Sequence, residues 1–303
     1  MPAALLATLC FSLSVIFANR SIARIGSARA NLSRLALATL GLAVYSHGFG
    51  VGLHGPGLSY FLLSGVIGFG LGDLALFQTL PRLGSRLTVL MAQCLAAPLG
   101  ALIEWLWLGT GISPLQIGGG CAVLAGTVIA VAPRERLQRT AGQLRWGLLF
   151  GFLSALGQGW GAVISRKAFA IDVAQGLAMN GITAAYQRIL GGLAVAALAY
   201  VLMGGRFDMT SPTDDAESAK EPHRWRRALP WIGLNALLGP MLGVSCYQWA
   251  LGQAPTGVVL SIVATTPLVI MPFAWVLEGD RPTPRAVGGA LLAVSGVLVL
   301  LLK

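Results

Sequence analysis

The sequence predicts an all-α integral membrane protein of ten transmembrane helices, arranged as two inverted-topology five-helix repeats around a central cavity. Three observations lead there. Of 303 residues, 55% are hydrophobic and 11% charged, against about 25% charged in an ordinary soluble domain, so a water-facing surface cannot be built. Apolar runs of roughly 17 to 25 residues recur along the chain, the length that crosses about 30 Å of hydrocarbon at ~1.5 Å per residue. The second half of the chain also repeats the first in one register.

Hydropathy, with Gly, Pro and Arg as punctuation, places the runs at 2–18, 33–53, 57–79, 85–108, 114–132, 144–165, 178–203, 229–251, 256–277 and 285–302. The first lacks a basic n-region and a convincing cleavage site, and the pattern continues long after it, so it reads as a helix and not a signal peptide. The long hydrophilic connection at 204–228, which contains Thr213, Asp214, Asp215 and Glu217, has no apolar periodicity and reads as a mobile loop. The net charge of +10 comes from basic residues in short connections, without a stripe of interleaved aromatics. That excludes a nucleic-acid footprint. Cys10, Cys94, Cys121 and Cys246 all lie inside apolar runs with no CxxC, so neither a disulfide framework nor a zinc site is indicated.

A shift of 170 residues sets Phe77-Gln78 on Tyr247-Gln248, Leu90 on Leu260, Pro114 on Pro284, Gly118-Gly119 on Gly288-Gly289 and Gly126 on Gly296. With a gap nearer the start, Asn19-Arg20 falls on Ser165-Arg166 and Arg34 on Arg188, while Pro98 and Pro267 match within one residue. The repeats are therefore 1–135 and 136–303. Because five is odd, the second unit enters the membrane from the opposite side, an arrangement common in secondary transporters.

Lys and Arg concentrate on the cytoplasmic side of membrane proteins. Connections after runs 1, 3, 5, 7 and 9 hold seventeen basic residues; the other side has Arg166, Lys167 and Lys303, with Arg188 left inside or at the edge of run 7. Read literally, both termini face away from the cytoplasm.

Among the acids, Asp73 and Glu104 lie well inside apolar runs, where a carboxylate facing lipid costs several kcal/mol. They are the candidate proton-coupling positions. Asp73 has two readings: coupling or ammonium binding on one side, a hydrogen-bonded acid capping a helix kink on the other. Glu104 lies four residues before its run ends, which favours snorkelling to the interface over function. A solute pocket needs a few directional polar groups among flat apolar walls; the candidates are Gln78, Gln93, Gln158, Trp160, Asn235, Tyr247, Gln248 and Trp249. The bland alternative makes the amides helix-to-helix glue and Trp249 part of an interfacial belt. Pro98, Pro267 and Pro272 interrupt runs 4 and 9 at corresponding depths and are candidate gating kinks.

The stretches Gly72-Asp73-Leu74-Ala75-Leu76-Phe77, with Leu80 and Gly84 leading into Pro98, and Tyr247-Gln248-Trp249-Ala250-Leu251, leading into Thr266-Pro267-Leu268, resemble the drug/metabolite transporter superfamily, specifically its EamA-like ten-helix transporters. Leu277-Glu278-Gly279 and Gly288-Gly289 to Gly296 continue the likeness. The resemblance implies that helices 1, 3, 4, 6, 8 and 9 line a central cavity and that amino acids or related metabolites are exported. Two features depart from it: Gly109 stands where an acid matching Glu278 is expected, and the family usually keeps both termini in the cytoplasm.

The expected function is thus a secondary carrier, an exporter working by alternating access in the cell (inner) membrane. Its expected partners are a small-molecule solute, protons, the lipid bilayer and a second copy of the chain as a homodimer. No cofactor or metal is expected, and nothing resembles a P-loop. An intramembrane enzyme is the weaker rival, since no HExxH or GxSxG occurs and the histidines lie at helix ends or in loops. A non-transporting partner or scaffold is the other.

Overall fold

The computed structural model describes residues 1–83, 85–131, 140–202, 221–278 and 283–301. Among them every regular element is a helix: α1 (Pro2–Ile25), α2 (Ser27–Gly48), α3 (Leu58–Gly65), π1 (Val66–Gly72), α4 (Asp73–Leu83), α5 (Ser85–Cys94), α6 (Ala96–Leu108), α7 (Pro114–Val131), α8 (Ala141–Ala174), α9 (Gly181–Leu202), α10 (Glu221–Ala236), π2 (Leu237–Gly243), α11 (Val244–Gln253), α12 (Thr256–Val263), α13 (Thr266–Glu278) and α14 (Pro284–Leu301). Among the described residues, seven stretches have the length and apolarity to cross a bilayer: Pro2–Ile25, Leu58–Leu76, Leu90–Leu108, Ala141–Ala174, Gly181–Leu202, Arg224–Gln253 and Pro284–Leu301. Two shorter apolar helices, Pro114–Ala130 and Thr256–Pro272, accompany them. The chain is a multi-pass membrane protein.

Hydropathy misplaces several helix ends. α1 continues past residue 18 to Ile25, and Gly26 alone, at φ 84, turns the chain into α2. Arg20, Arg24, Arg29 and Arg34 therefore ride on helices and not in a connection. α8 likewise carries Arg166 and Lys167 well inside its length, and α10 begins at Glu221, so 221–228 is helical where a loop was expected. The rest of that loop, 204–220, lies outside the described residues. The cause is common to all three. Hydropathy marks where apolar side chains stop, whereas a helix bearing Arg or Lys continues where those charges snorkel to water or, as with Arg166, find a partner inside the bundle.

Two kinds of irregularity occur twice. The run at 57–79 is interrupted by π1 and the run at 229–251 by π2, each a seven-residue wide turn. The run at 85–108 breaks at Leu95, and the run at 256–277 breaks at Ala264 and Thr265. Proline explains the second pair. Its ring collides with the carbonyl four residues earlier, and four residues before Pro98 and Pro267 stand Cys94 and Val263, the last residues of α5 and α12. Pro272, by contrast, lies within a continuous α13.

The packing is reciprocal. α1 lies against α10, π2 and α11, and α8 against α3, π1 and α4. α7 and α14 run antiparallel along one another. There a Cβ at Gly126 would stand 2.5 Å from Gly289 O, and one at Gly296 would stand 2.6 Å from Gly119 O. Small residues let the two backbones meet where lipid offers no hydrophobic drive to bring helices together. Large apolar side chains such as Leu40, Val44, Trp105, Leu106 and Leu291 face outward, as a lipid solvent requires.

Candidate functional site

The first half of α9, from Thr183 to Gly192, is buried almost all round. Its neighbours come so close because they lack side chains: a Cβ at Gly65 on α3 would fall on the Arg188 carbonyl, and one at Gly191 on the Leu62 carbonyl. This crossing drives Arg188 into the interior, where it is 1% exposed. Its Nη1 donates to Ser165 Oγ and to Gln248 Oε1, both at 3.3 Å. Gln248 Nε2 donates to the same Ser165 Oγ at 3.1 Å, and Ser64 Oγ lies 2.8 Å from it. Phe69 and Tyr247 present their rings 5.1 and 5.5 Å from the guanidinium carbon. All the acceptors are neutral, and Arg188 Nε has none.

A second polar group lies beside it. Asp73, the first residue after π1, accepts from Gln158 Nε2 through Oδ1 at 3.2 Å. Arg34 Nη2 stands 4.0 Å from Asp73 Oδ2 and its Nε donates to Asn31 Oδ1 at 2.9 Å. Asp73, Asn31, Phe69, Gly70, Leu74 and Tyr200 line a cavity of about 30 Å³, room for about two water molecules. Phe69 thus touches both clusters. The cavity sits toward the end of the bundle that holds the α1–α2 turn and the C-terminus of α9.

The opposite end is held by a cross-link. Glu104 on α6, 1% exposed, accepts from the Thr256 amide at the start of α12 at 2.5 Å and pairs with Arg166 Nε at 2.8 Å. Arg166 Nη1 in turn donates to Leu251 O at 2.8 Å and to Ala254 O. One ion pair therefore joins α6 and α8 to the turn between α11 and α12.

The EamA-like transporter family matches residues 1–132 and 145–302, nearly the whole chain. The chain belongs to the EamA-like transporter family. That family lies within the drug/metabolite transporter superfamily, and its members are transporters, not enzymes. The chain also superposes on a solved structure, described only as a crystal structure of a protein, with a TM-score of 0.73, 19% identity, and coverage of 100% of this chain and 96% of that one. At that identity the likeness shows the fold alone. No curated protein matches the sequence.

On this EamA-like scaffold the residues singled out from sequence part company. Asp73, Gln158, Tyr247 and Gln248 come together around Arg188 and the cavity. Gln78 does not: it is half-buried on α4 and accepts from Arg82 Nη1 at 2.9 Å. Gln93 is half-buried on α5. Asn235 is buried elsewhere, its Oδ1 taking Ser14 Oγ at 2.7 Å and tying α10 to α1. Trp160 and Trp249 are 44% and 53% exposed and face outward, not toward the polar core. Pro98 and Pro272 are also exposed and Pro267 half-buried. Glu104 does not snorkel as expected. The Arg166 partner and the Thr256 amide offer it more than the interface would.

Arg188, Arg34 and Ser165 were missed, as was Asp172. The available signal for Arg188 was an arginine left inside an apolar run. Asp172, fully buried near the end of α8, accepts from the Gly57 amide at 2.7 Å and anchors the start of α3. Asp172→Ala orphans that amide and is expected to destabilise the protein by about 1–3 kcal/mol, read as a lowered thermal midpoint in detergent. An unchanged midpoint would remove the anchoring role.

Proposed function

We propose that this chain is a secondary carrier that moves small organic solutes, such as amino acids, out of the cell across the inner membrane by alternating access. Its ten crossings form two inverted five-helix repeats, 1–135 and 136–303. Supporting the repeat are the shared register, the two π segments, the two proline breaks and the family match over two segments that respect the same boundary. Supporting the inversion, Gly119 and Gly126 meet Gly296 and Gly289, their own counterparts taken in reverse order, as a two-fold axis in the membrane plane requires.

The observation that carries the functional reading is the Asp73 and Arg188 cluster. Charges inside a membrane bundle are costly and mark solute or ion pathways, and here they adjoin a cavity. The cavity lies at the arginine-rich end, which faces the cytoplasm by the positive-inside rule, while the Glu104–Arg166 pair closes the other end. An exporter loads from that side. Asp73, on the cavity wall with Arg34 only loosely paired to it, is the group that exchanges a proton as the solute enters or leaves.

The test is flux in proteoliposomes with a panel of amino acids, organic acids, nucleosides and amphiphilic cations. Wild-type protein is expected to move at least one class, and Gln158→Ala to reduce that flux about tenfold or more while staying folded, since it removes the side chain that positions Asp73. Asp73→Asn is expected to keep down-gradient exchange but lose the response to an imposed pH gradient. No movement of any solute would defeat the carrier reading.

A further inference from the structure

We infer that the solute accepted at this site is a small organic anion, held through its carboxylate on Arg188; the inference rests on the carrier reading and narrows it. The interior cluster holds two cations, Arg34 and Arg188, against one carboxylate, Asp73, and among the described residues no other acid comes within ion-pair reach of either arginine. One positive charge is left over. Glu104 is committed to Arg166, and Asp172, near the C-terminus of α8 on the Gly57 amide, forms no ion pair with either arginine, so neither compensates it locally. An unbalanced charge in a low-dielectric bundle is expensive, and an anionic ligand relieves it where a cation cannot.

The geometry of Arg188 fits the same class. Guanidinium binds carboxylate through two parallel N–H bonds along one edge. Arg188 uses Nη1 on Ser165 and Gln248, shares a side-chain hydrogen bond with the neutral Tyr247 hydroxyl, leaves Nε without an acceptor, and aims Nη2 at Gly68 of π1, where a Cβ would stand 2.7 Å from it. The edge formed by Nε and Nη2 is thus free of anionic partners. It is bordered by glycine, which admits a close approach, and by Phe69, whose other side lines the cavity. With Tyr247 opposite, the two rings give the ligand's apolar body flat walls. At about 30 Å³ the cavity is smaller than such a ligand, so Phe69 must swing aside to join the cavity to Arg188.

The experiment is binding to the purified full-length protein in nanodiscs, read as a ligand-dependent thermal shift, with phenylacetate and glutarate as anions, phenylacetamide as the neutral isostere and phenethylammonium as the cation. At least one anion is expected to stabilise the wild type while the amide and the ammonium do not at equal concentration. Arg188→Gln should weaken the anion by about thirtyfold or more, and Asp73→Asn, which enlarges the positive excess, should tighten it. Opposite signs from two substitutions in one cluster are not produced by general loosening. If Arg188→Gln fails to fold, Asp73→Asn decides alone. The inference is overturned if neither anion binds, if the amide or the ammonium binds as well, or if Asp73→Asn leaves anion affinity unchanged or lower. Proteoliposome flux separates this from the broader reading: flux of neutral or cationic solutes alone refutes the anion while keeping the carrier, and no flux alongside intact phenylacetate binding does the reverse.

Discussion

Alanine at Glu104 is expected to cost about 3–5 kcal/mol, the usual loss when one member of a buried ion pair is removed. Two groups lose a partner at once, the Arg166 Nε and the Thr256 amide at the start of α12. Arg166 retains Leu251 O and Ala254 O and is about one-fifth exposed, which places the loss toward the lower end of that range. Glu104→Gln keeps an oxygen for Thr256 and should lose roughly half as much, since only the charge goes. Unfolding of the purified protein in mixed detergent micelles measures both. A double-mutant cycle with Arg166→Met isolates the pair, because the cost of Glu104→Ala should shrink once the arginine is gone. A Glu104→Ala loss under about 1 kcal/mol would mean that the pair behaves as a surface contact and does not hold that end closed.

Gly65→Ala is expected to prevent folding. Overpacking typically costs about 1–3 kcal/mol where side chains can give way, but here the added methyl meets the Arg188 carbonyl, which belongs to backbone. Neither helix can retreat. Gly191 touches the Leu62 carbonyl from the other side of the same crossing, and Gly161 meets Gly68 Cα on π1 one level along. Separating α3 from α9 would also draw Arg188 away from Gly68 and Phe69 of π1, which continues α3. The readout is the yield of monodisperse protein by size exclusion. Gly118→Ala and Gly288→Ala, where the methyl meets nothing within 4 Å, are the controls and should match wild type. A normal yield for Gly65→Ala would show that the crossing is looser than described.

Membrane class and helical content were legible because lipid imposes them on composition and run length. The breaks at Pro98 and Pro267 were legible too, since proline acts through its own ring and needs no partner. Asp73, Gln158, Tyr247 and Gln248 could be picked out as polar groups in apolar surroundings, and they gather. What sequence spacing could not distinguish is which polar residues share a face across the interface between different helices. Gln78 and Gln248 occupy matching places in the register, yet the former binds its own helix neighbour Arg82 while the latter reaches Arg188 and Ser165. Arg188 escaped notice because an arginine near the edge of an apolar run reads equally as a topology signal. Glu104 is misjudged from sequence because hydropathy puts its partner Arg166 in a connection, whereas it lies within α8. π1 and π2 left no mark in the hydrophobic pattern, which is blind to one extra residue in a turn.

The α7 and α14 pair bears on how the proposed carrier would move. At the two levels where Gly119, Gly126, Gly289 and Gly296 meet, main chain rests on main chain, with Val123, Val299 and Leu300 packed at the margins. A contact of that kind tolerates no sliding by fractions of a residue, and it lies away from Asp73 and Arg188. In the alternating-access carrier proposed above, it is therefore suited to be the fulcrum, a fixed line about which the halves would tip while the softer surfaces around the charges are remade at every cycle.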